Sequence, residues 1–293
     1  MTATTGSPQD SDQDDIDPLH DNGWSTYELP LPEFGNRIPR PTSLTMTTSK
    51  KYREQEQINY SDMPSDPSRR METLSFRHFS LYCQFMKGSI DQHKCRRCWF
   101  LQENCICDLF RKVSDSVFFP HSVVLLLHFR ELNRSSNSGR ILLSAKSNRA
   151  FVFGMPRHEQ ALVRALEEDK RQTIILWPGP ESMTIDELAK VDGIDIKAPF
   201  QIVALDGTWS NSRAMNKKLP KSIPRVRLSN SHRQEFGGAR KHSNKVHICT
   251  AGACLHVLRE LGVHSDQLHP LADAINGSFD NYAAQLRRQR LRD

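Results

Sequence analysis

Four short apolar runs decide what this chain can fold into: SVVLLLH at 122–128, AFVFG at 150–154, TIILW at 173–177 and FQIVAL at 200–205. A strand with one wet face alternates apolar and polar residues. Nearly uninterrupted runs rich in Val, Ile, Leu and Phe are what strands buried on both faces require. Between the second and third runs, Pro156 opens a segment with apolar residues at 161, 162, 165 and 166. That is the spacing of an amphipathic helix with proline in its first turn. Further helices are expected at 209–218, 251–261 and 269–290. Strands alternating with helices predict an α/β fold with a mainly parallel sheet, and such folds bind ligands beyond the carboxyl ends of their strands. Three of the four runs end there in unusual sequence: HFRELNRSSNSGR, WPGPES and DGTWS.

Residues 1–75 are rich in Ser, Thr, Asp, Gln and Pro and hold no sustained period, which predicts a disordered tail before a folded part at 76–293. Within the tail, the stretch from Tyr27 to Pro32 reads either as a short docking segment or as an inert linker. The tail carries 7 Lys/Arg against 13 Asp/Glu, so the net charge of +6 conceals a basic remainder with 33 against 21. A basic folded part points to a polyanionic partner, nucleic acid first; a well-solvated surface is the alternative. The acidic N-terminus has no apolar core, and no stretch approaches the roughly 18 apolar residues of a membrane span. The expectation is a cytoplasmic or nuclear chain, cytoplasmic favoured.

Seven cysteines fall at 83, 95, 98, 105, 107, 249 and 254. In a reducing compartment, clustered cysteines favour metal over disulfides. Cys95, Cys98, Cys105 and Cys107 form a CxxC and a CxC six residues apart. Four thiolates at that spacing can converge tetrahedrally on Zn²⁺ and leave no open position, which predicts a structural knuckle at about 93–110. Four reduced core cysteines are the alternative. Cys83 lies outside the pattern, while Cys249 and Cys254 read as helix-start and core positions.

At Asp206-Gly207-Thr208-Trp209 two readings stand. Asp206 or Thr208 can cap the following helix in an ordinary turn, or Asp206 is a carboxylate set at a strand end for chemistry. Trp209 is either core or a stacking platform. Pro178-Gly179 is a backbone contact or a plain turn. His128, Glu131 and Arg134 belong to a site or to a polar network shaping their loop. Basic residues flank these segments: Arg134, Arg140, Arg213, Lys217, Lys218, Lys221, Arg225, Arg227, Arg233, Arg240 and Lys241. A second run, Arg287, Arg288, Arg290 and Arg292, ends the chain. Such groups meet phosphates with little sequence information, or are simply solvated.

The cysteine knuckle, the 128–140 loop, Trp177-Pro-Gly-Pro, the DGTW segment and His247-Ile-Cys-Thr-Ala together resemble the DTW-domain family. These are tRNA-uridine aminocarboxypropyltransferases, whose hallmark is D-x-T-W. The likeness covers roughly residues 93–285, and its 128–140 and 247–251 segments look closer to bacterial-type members. The resemblance implies a SPOUT-like α/β core over about 118–290 with a knotted C-terminal part. It implies S-adenosylmethionine as donor, transfer of the 3-amino-3-carboxypropyl group to N3 of a tRNA uridine (acp3U), and release of methylthioadenosine. The bacterial-type likeness favours the tRNA variable loop over the D loop. Asp206 then takes the N3 proton as general base, with Thr208 and Trp209 beside it. Asn137, Ser138, Gly139, Pro178, Gly179, Cys249, Thr250 and Ala251 would bind the donor. Arg134, Arg140, Arg213, Lys217, Lys218, Arg240 and Lys241 would meet tRNA. The family usually has Glu where this chain has Gly252, which puts any role of that carboxylate in doubt. No obligate protein partner is readable. Transfer to ribosomal RNA, SPOUT-type methylation and a non-catalytic zinc-knuckle RNA-binding module are the competing readings.

Overall fold

The computed structural model describes residues 63–91, 93–116, 120–229 and 248–290. In it the four apolar runs are the strands β1 (Ser122–His128), β2 (Arg149–Phe153), β3 (Gln172–Leu176) and β4 (Phe200–Asp206). A two-residue β5 (Arg225–Val226) completes a sheet of order β2-β1-β4-β3-β5, parallel throughout. The two-residue period of a strand explains the unbroken apolar runs. In β1, Val123, Leu125 and Leu127 enter one core while Val124 and Leu126 enter the other.

Helices cover both faces. Against Val124, Phe151 and Val203 pack α3 (Pro156–Glu168) and the end of α5 (Trp209–Lys218), through Leu162, Ala165 and Met215. The opposite, larger core gathers α1 (Pro67–Lys87), α2 (Cys107–Ser116), the short α4 (Ile185–Leu188), α6 (Thr250–Glu260) and α7 (Ser265–Arg290). The helices α3 and α5 begin where the sequence places them, while α6 and α7 begin at 250 and 265 rather than 251 and 269. Starting the last helix at 269 would put Pro270 in its first turn. In the fold Pro270 lies one turn further in, inside the helix, where it has no N–H to give the Asp266 carbonyl.

One boundary is corrected. Residues 67–75, expected in a disordered tail, form the first turns of α1. Asp66 caps the helix by accepting from the Arg69 N–H at 2.8 Å, Pro67 opens it, and Gly88 closes it at φ 79°. Its first turn is charged and exposed, and the buried face begins only at Leu74, continuing through Phe79, Tyr82, Phe85 and Met86. The local pattern therefore resembles the tail until the apolar face begins.

The chain leaves β1 toward β2 at one edge and leaves β4 toward β5 at the other. A crevice at the carboxyl ends of β1 and β4 follows from that reversal, and Leu127 is in register with Asp206 there. Among the described residues no helix is long and apolar enough to cross a membrane.

Candidate active site

Asp206 ends β4 with the same parity as Ile202 and Ala204, so its side chain is turned into the larger core, toward α6. It is 6% exposed. Two hydrogen bonds hold its carboxylate: Asn137 Nδ2–H donates to Oδ2 at 2.6 Å, and the Thr250 hydroxyl donates to Oδ1 at 2.6 Å. Donors to a carboxylate make short, strong bonds. The Asn137 amide is itself oriented, because its oxygen accepts the Arg140 backbone N–H at 3.0 Å. Gly139 allows this approach: a Cβ there would stand 2.8 Å from Asp206 Oδ2 and 3.1 Å from Leu125 Cδ1. Asn137, Gly139, Asp206 and Thr250, spread over more than a hundred residues of sequence, thus meet at one carboxylate.

The capping question at 206–209 resolves by residue. Thr208 is the N-cap of α5, accepting from the Asn211 N–H at 3.4 Å, while Asp206 is turned away from that helix. Gly207 has no room for a side chain without displacing Asn211, His128 or Met215, each 3.2 Å from a built Cβ. Trp209 is the first helical residue and is 48% exposed, not core. It meets Trp177 edge-on, with ring centroids 6.0 Å apart. Trp177 follows β3, and a Cβ on Gly179 would come 2.5 Å from its Nε1, so Gly179 is what lets the indole lie over its own turn. The Pro178-Gly179 turn is thus linked to Trp209 through Trp177.

Cys249 caps α6, its Sγ accepting from the Gly252 N–H at 3.3 Å, and Ala251 and Cys254 are core. Gly252 thus serves the cap through its backbone. Ser138 is buried beside Gly139. His128 accepts from the Arg130 N–H at 3.3 Å, and Glu131 pairs with Arg134 at 3.4 Å, so these residues shape the loop after β1. Burial, reinforced by the charges of Arg130, His78 and Arg134, pushes the His128 imidazole down to about 4, leaving it neutral at physiological pH.

The expected phosphate contacts separate. Arg213, Lys217 and Lys218 stand exposed along α5, and Arg134 is half-exposed beside its Glu131 partner. Arg225 is engaged with the carbonyls of Asn216, Leu219, Pro220 and Ile223, and Arg227 pairs with Glu187 at 3.0 Å. Arg140 is a correction: it is 2% exposed, its side chain enclosed by the cysteine knuckle, and so out of reach of a phosphate. Arg233, Arg240, Lys241, His247, Arg292 and the segment from Tyr27 to Pro32 lie outside the described residues.

The four sulfurs of Cys95, Cys98, Cys105 and Cys107 lie within 4.8 Å of one another and could hold a metal ion. Cys95 and Cys107 are 3.4 Å apart and Cys98 and Cys105 3.7 Å, far too long for disulfides. Four Zn–S bonds of 2.3 Å in a tetrahedron place sulfurs about 3.8 Å apart, so the donor set fits zinc. A tight turn sets it up: Cys95 N–H donates to the Phe100 carbonyl and Trp99 N–H to the Cys95 carbonyl, both at 2.8 Å, with Trp99 at φ 53°. The neighbouring sulfurs of Cys105, Cys107 and Cys98 hold the Cys95 thiol well below its ordinary range.

Residues 92–283 match the family described as the DTW domain. A protein of Drosophila melanogaster named tRNA-uridine aminocarboxypropyltransferase 2 is 25% identical over 133 residues, 44% of this chain and 50% of that protein. This chain therefore spans about half the length of that curated relative. No solved structure matches.

Proposed function

Because this chain belongs to the DTW-domain family, we propose that it transfers the 3-amino-3-carboxypropyl group of S-adenosylmethionine to N3 of a uridine in tRNA. Methylthioadenosine leaves, and the tRNA variable loop is the favoured location of the uridine. Asp206 is the general base, and the observation that carries the reading is its setting. It is a buried carboxylate, clamped by two donors at the switch point of a parallel sheet, beside an exposed tryptophan. Asn137 and Thr250 each bond a different oxygen of Asp206, and both oxygens of an ionised carboxylate are acceptors. Asn137 and Thr250 restrict the carboxylate to one geometry, which is how a positioned base gains rate. Trp209 offers an indole face for the uracil.

The donor supplies an electrophilic carbon at its sulfonium. The residues present suit it: Gly139 leaves space beside Asp206 that a Cβ would fill, and Asn137, Ser138, Pro178, Gly179 and Cys249 belong to the segments that hold the donor. Thr250 and Ala251 precede the first intrahelical bond of α6, Ala253 N–H to the Cys249 carbonyl at 2.9 Å, and their backbone N–H groups meet the donor's adenine. Cys95, Cys98, Cys105 and Cys107 hold a structural zinc ion. The C-terminal part adopts the SPOUT-like knotted arrangement of the family, the tail precedes it, and Arg134, Arg213, Lys217 and Lys218, with Arg240 and Lys241, meet tRNA phosphates.

Incubation with S-adenosylmethionine and unmodified tRNA, followed by nucleoside mass spectrometry, tests the reading. The expected products are an aminocarboxypropyl-uridine and methylthioadenosine. A methylated uridine with S-adenosylhomocysteine would instead make this a methyltransferase. No new mass on uridine would leave a binding module.

A further inference from the structure

Arg140 is a full guanidinium inside the protein. Its Nε and both terminal nitrogens have no hydrogen-bond partner, and it is 2% exposed. Three rings surround it: its Cζ lies 4.9 Å from the centre of Phe100, 5.2 Å from Trp99 and 5.6 Å from Phe110. Trp99 and Phe100 lie between the two cysteine pairs, and Phe110 is on α2, which begins at Cys107. Ring faces stabilise a cation, but an isolated buried charge still requires an opposite charge nearby. Burial disfavours the charged guanidinium, and the groups whose negative charge would offset it are Cys98, Cys95 and Cys107 of the knuckle, with Tyr82. With zinc bound, four thiolates carry a net charge of −2, which is the missing counter-charge.

The backbone of the same residue works at the other end. Arg140 N–H orients the Asn137 amide, and that amide donates to Asp206. Its chain neighbour Gly139 lies against the same carboxylate. We propose that Arg140 is a positioning residue that couples the metal knuckle to Asp206. Its side chain is the counter-cation of the metal tetrathiolate, and its backbone fixes the turn that aims the carboxylate. The inference rests on the metal reading of the four cysteines. It assigns the knuckle a task beyond stability: the metal state is transmitted to the site through one residue.

The test is zinc release from the full chain loaded with zinc, followed with a chromophoric chelator, for wild type, Arg140→Met and Arg140→Lys. Arg140→Met keeps the length and apolar contacts but removes the charge, and is expected to release zinc about tenfold faster or more. Arg140→Lys, which keeps the charge, falls between. A folded Arg140→Met with wild-type release overturns the proposal. If that variant does not fold, deuterium exchange on the wild-type chain decides. Stripping zinc is expected to speed exchange at 137–145 while β3 stays protected, and unchanged exchange at 137–145 overturns the coupling. A chain that takes up no zinc in any form refutes the metal reading itself.

Discussion

Asn137, through its side-chain amide, and Thr250, through its hydroxyl, both donate to Asp206, and this clamp sets the residue-scale predictions. Asp206→Asn keeps size and polarity but not basicity. It is expected to fold with an unchanged melting temperature and to lose transfer by a hundredfold or more, roughly the value of a general base; full modification by this variant in the nucleoside assay would remove Asp206 from the mechanism. Gly139→Ala places a methyl 2.8 Å from Oδ2, so the carboxylate or the turn must move. The expected cost is about 1–3 kcal/mol of stability, read by denaturant titration. The rate should fall about a hundredfold, as misplacement by about an ångström does. Asp206 and Thr250 drew notice in the sequence because one ends a strand and the other opens a helix, whereas the bonds of Asn137 and Thr250 to Asp206, in place of the expected donor contacts, join segments no local pattern connects. Arg140 was misread for a physical reason. Composition and spacing report the sign of a charge, and burial is decided by packing around Trp99, Phe100 and Phe110.

Between elements, His158 joins α3 to the edge strand β2. It is fully buried, and its Nδ1 accepts the Val152 N–H at 3.2 Å. That bond needs the neutral ring, and burial pushes the imidazole down to about 4 from an ordinary 6.5. His128 is lowered to about 4 as well. The folded state therefore binds fewer protons than the unfolded chain between those values. Stability contributed by these groups is complete above pH 6.5 and declines as pH falls toward 4, by up to about 1.4 kcal/mol per pH unit for each histidine. Denaturant midpoints across that window should fall less steeply for His158→Gln than for wild type; parallel curves would exclude His158 as a contributor. The strands, α3 and α5 were readable at this scale because their periods are local. The early start of α1 was not, since its charged first turn takes part in no apolar pattern, and Leu74 and Phe79 acquire meaning only against the sheet.

For the molecule as a whole, one core unites α1, the knuckle, one face of the sheet, α6 and α7. Ser75 joins α1 to the sheet: its hydroxyl lies 2.8 Å from the Met71 carbonyl of its own helix and 3.3 Å from the Phe153 carbonyl, and Gly154 leaves the room it needs. A chain beginning at residue 63 is expected to melt at the wild-type temperature. One beginning at residue 76 deletes Leu74 and Ser75 from that core and should melt about 5 °C lower or more; equal melting of the two would show that the first turns of α1 are dispensable. By itself the sequence determined the β-α alternation, the buried character of the strands, the four-sulfur donor set, the family segments and the net charge. All of these are local: a period, a spacing, a residue type. The strand order that opens a crevice between β1 and β4, the meeting of Asn137 and Thr250 on Asp206, and the withdrawal of Arg140 from the surface were decided only by the tertiary structure. They depend on which distant surfaces exclude water together, and no local spacing encodes that choice.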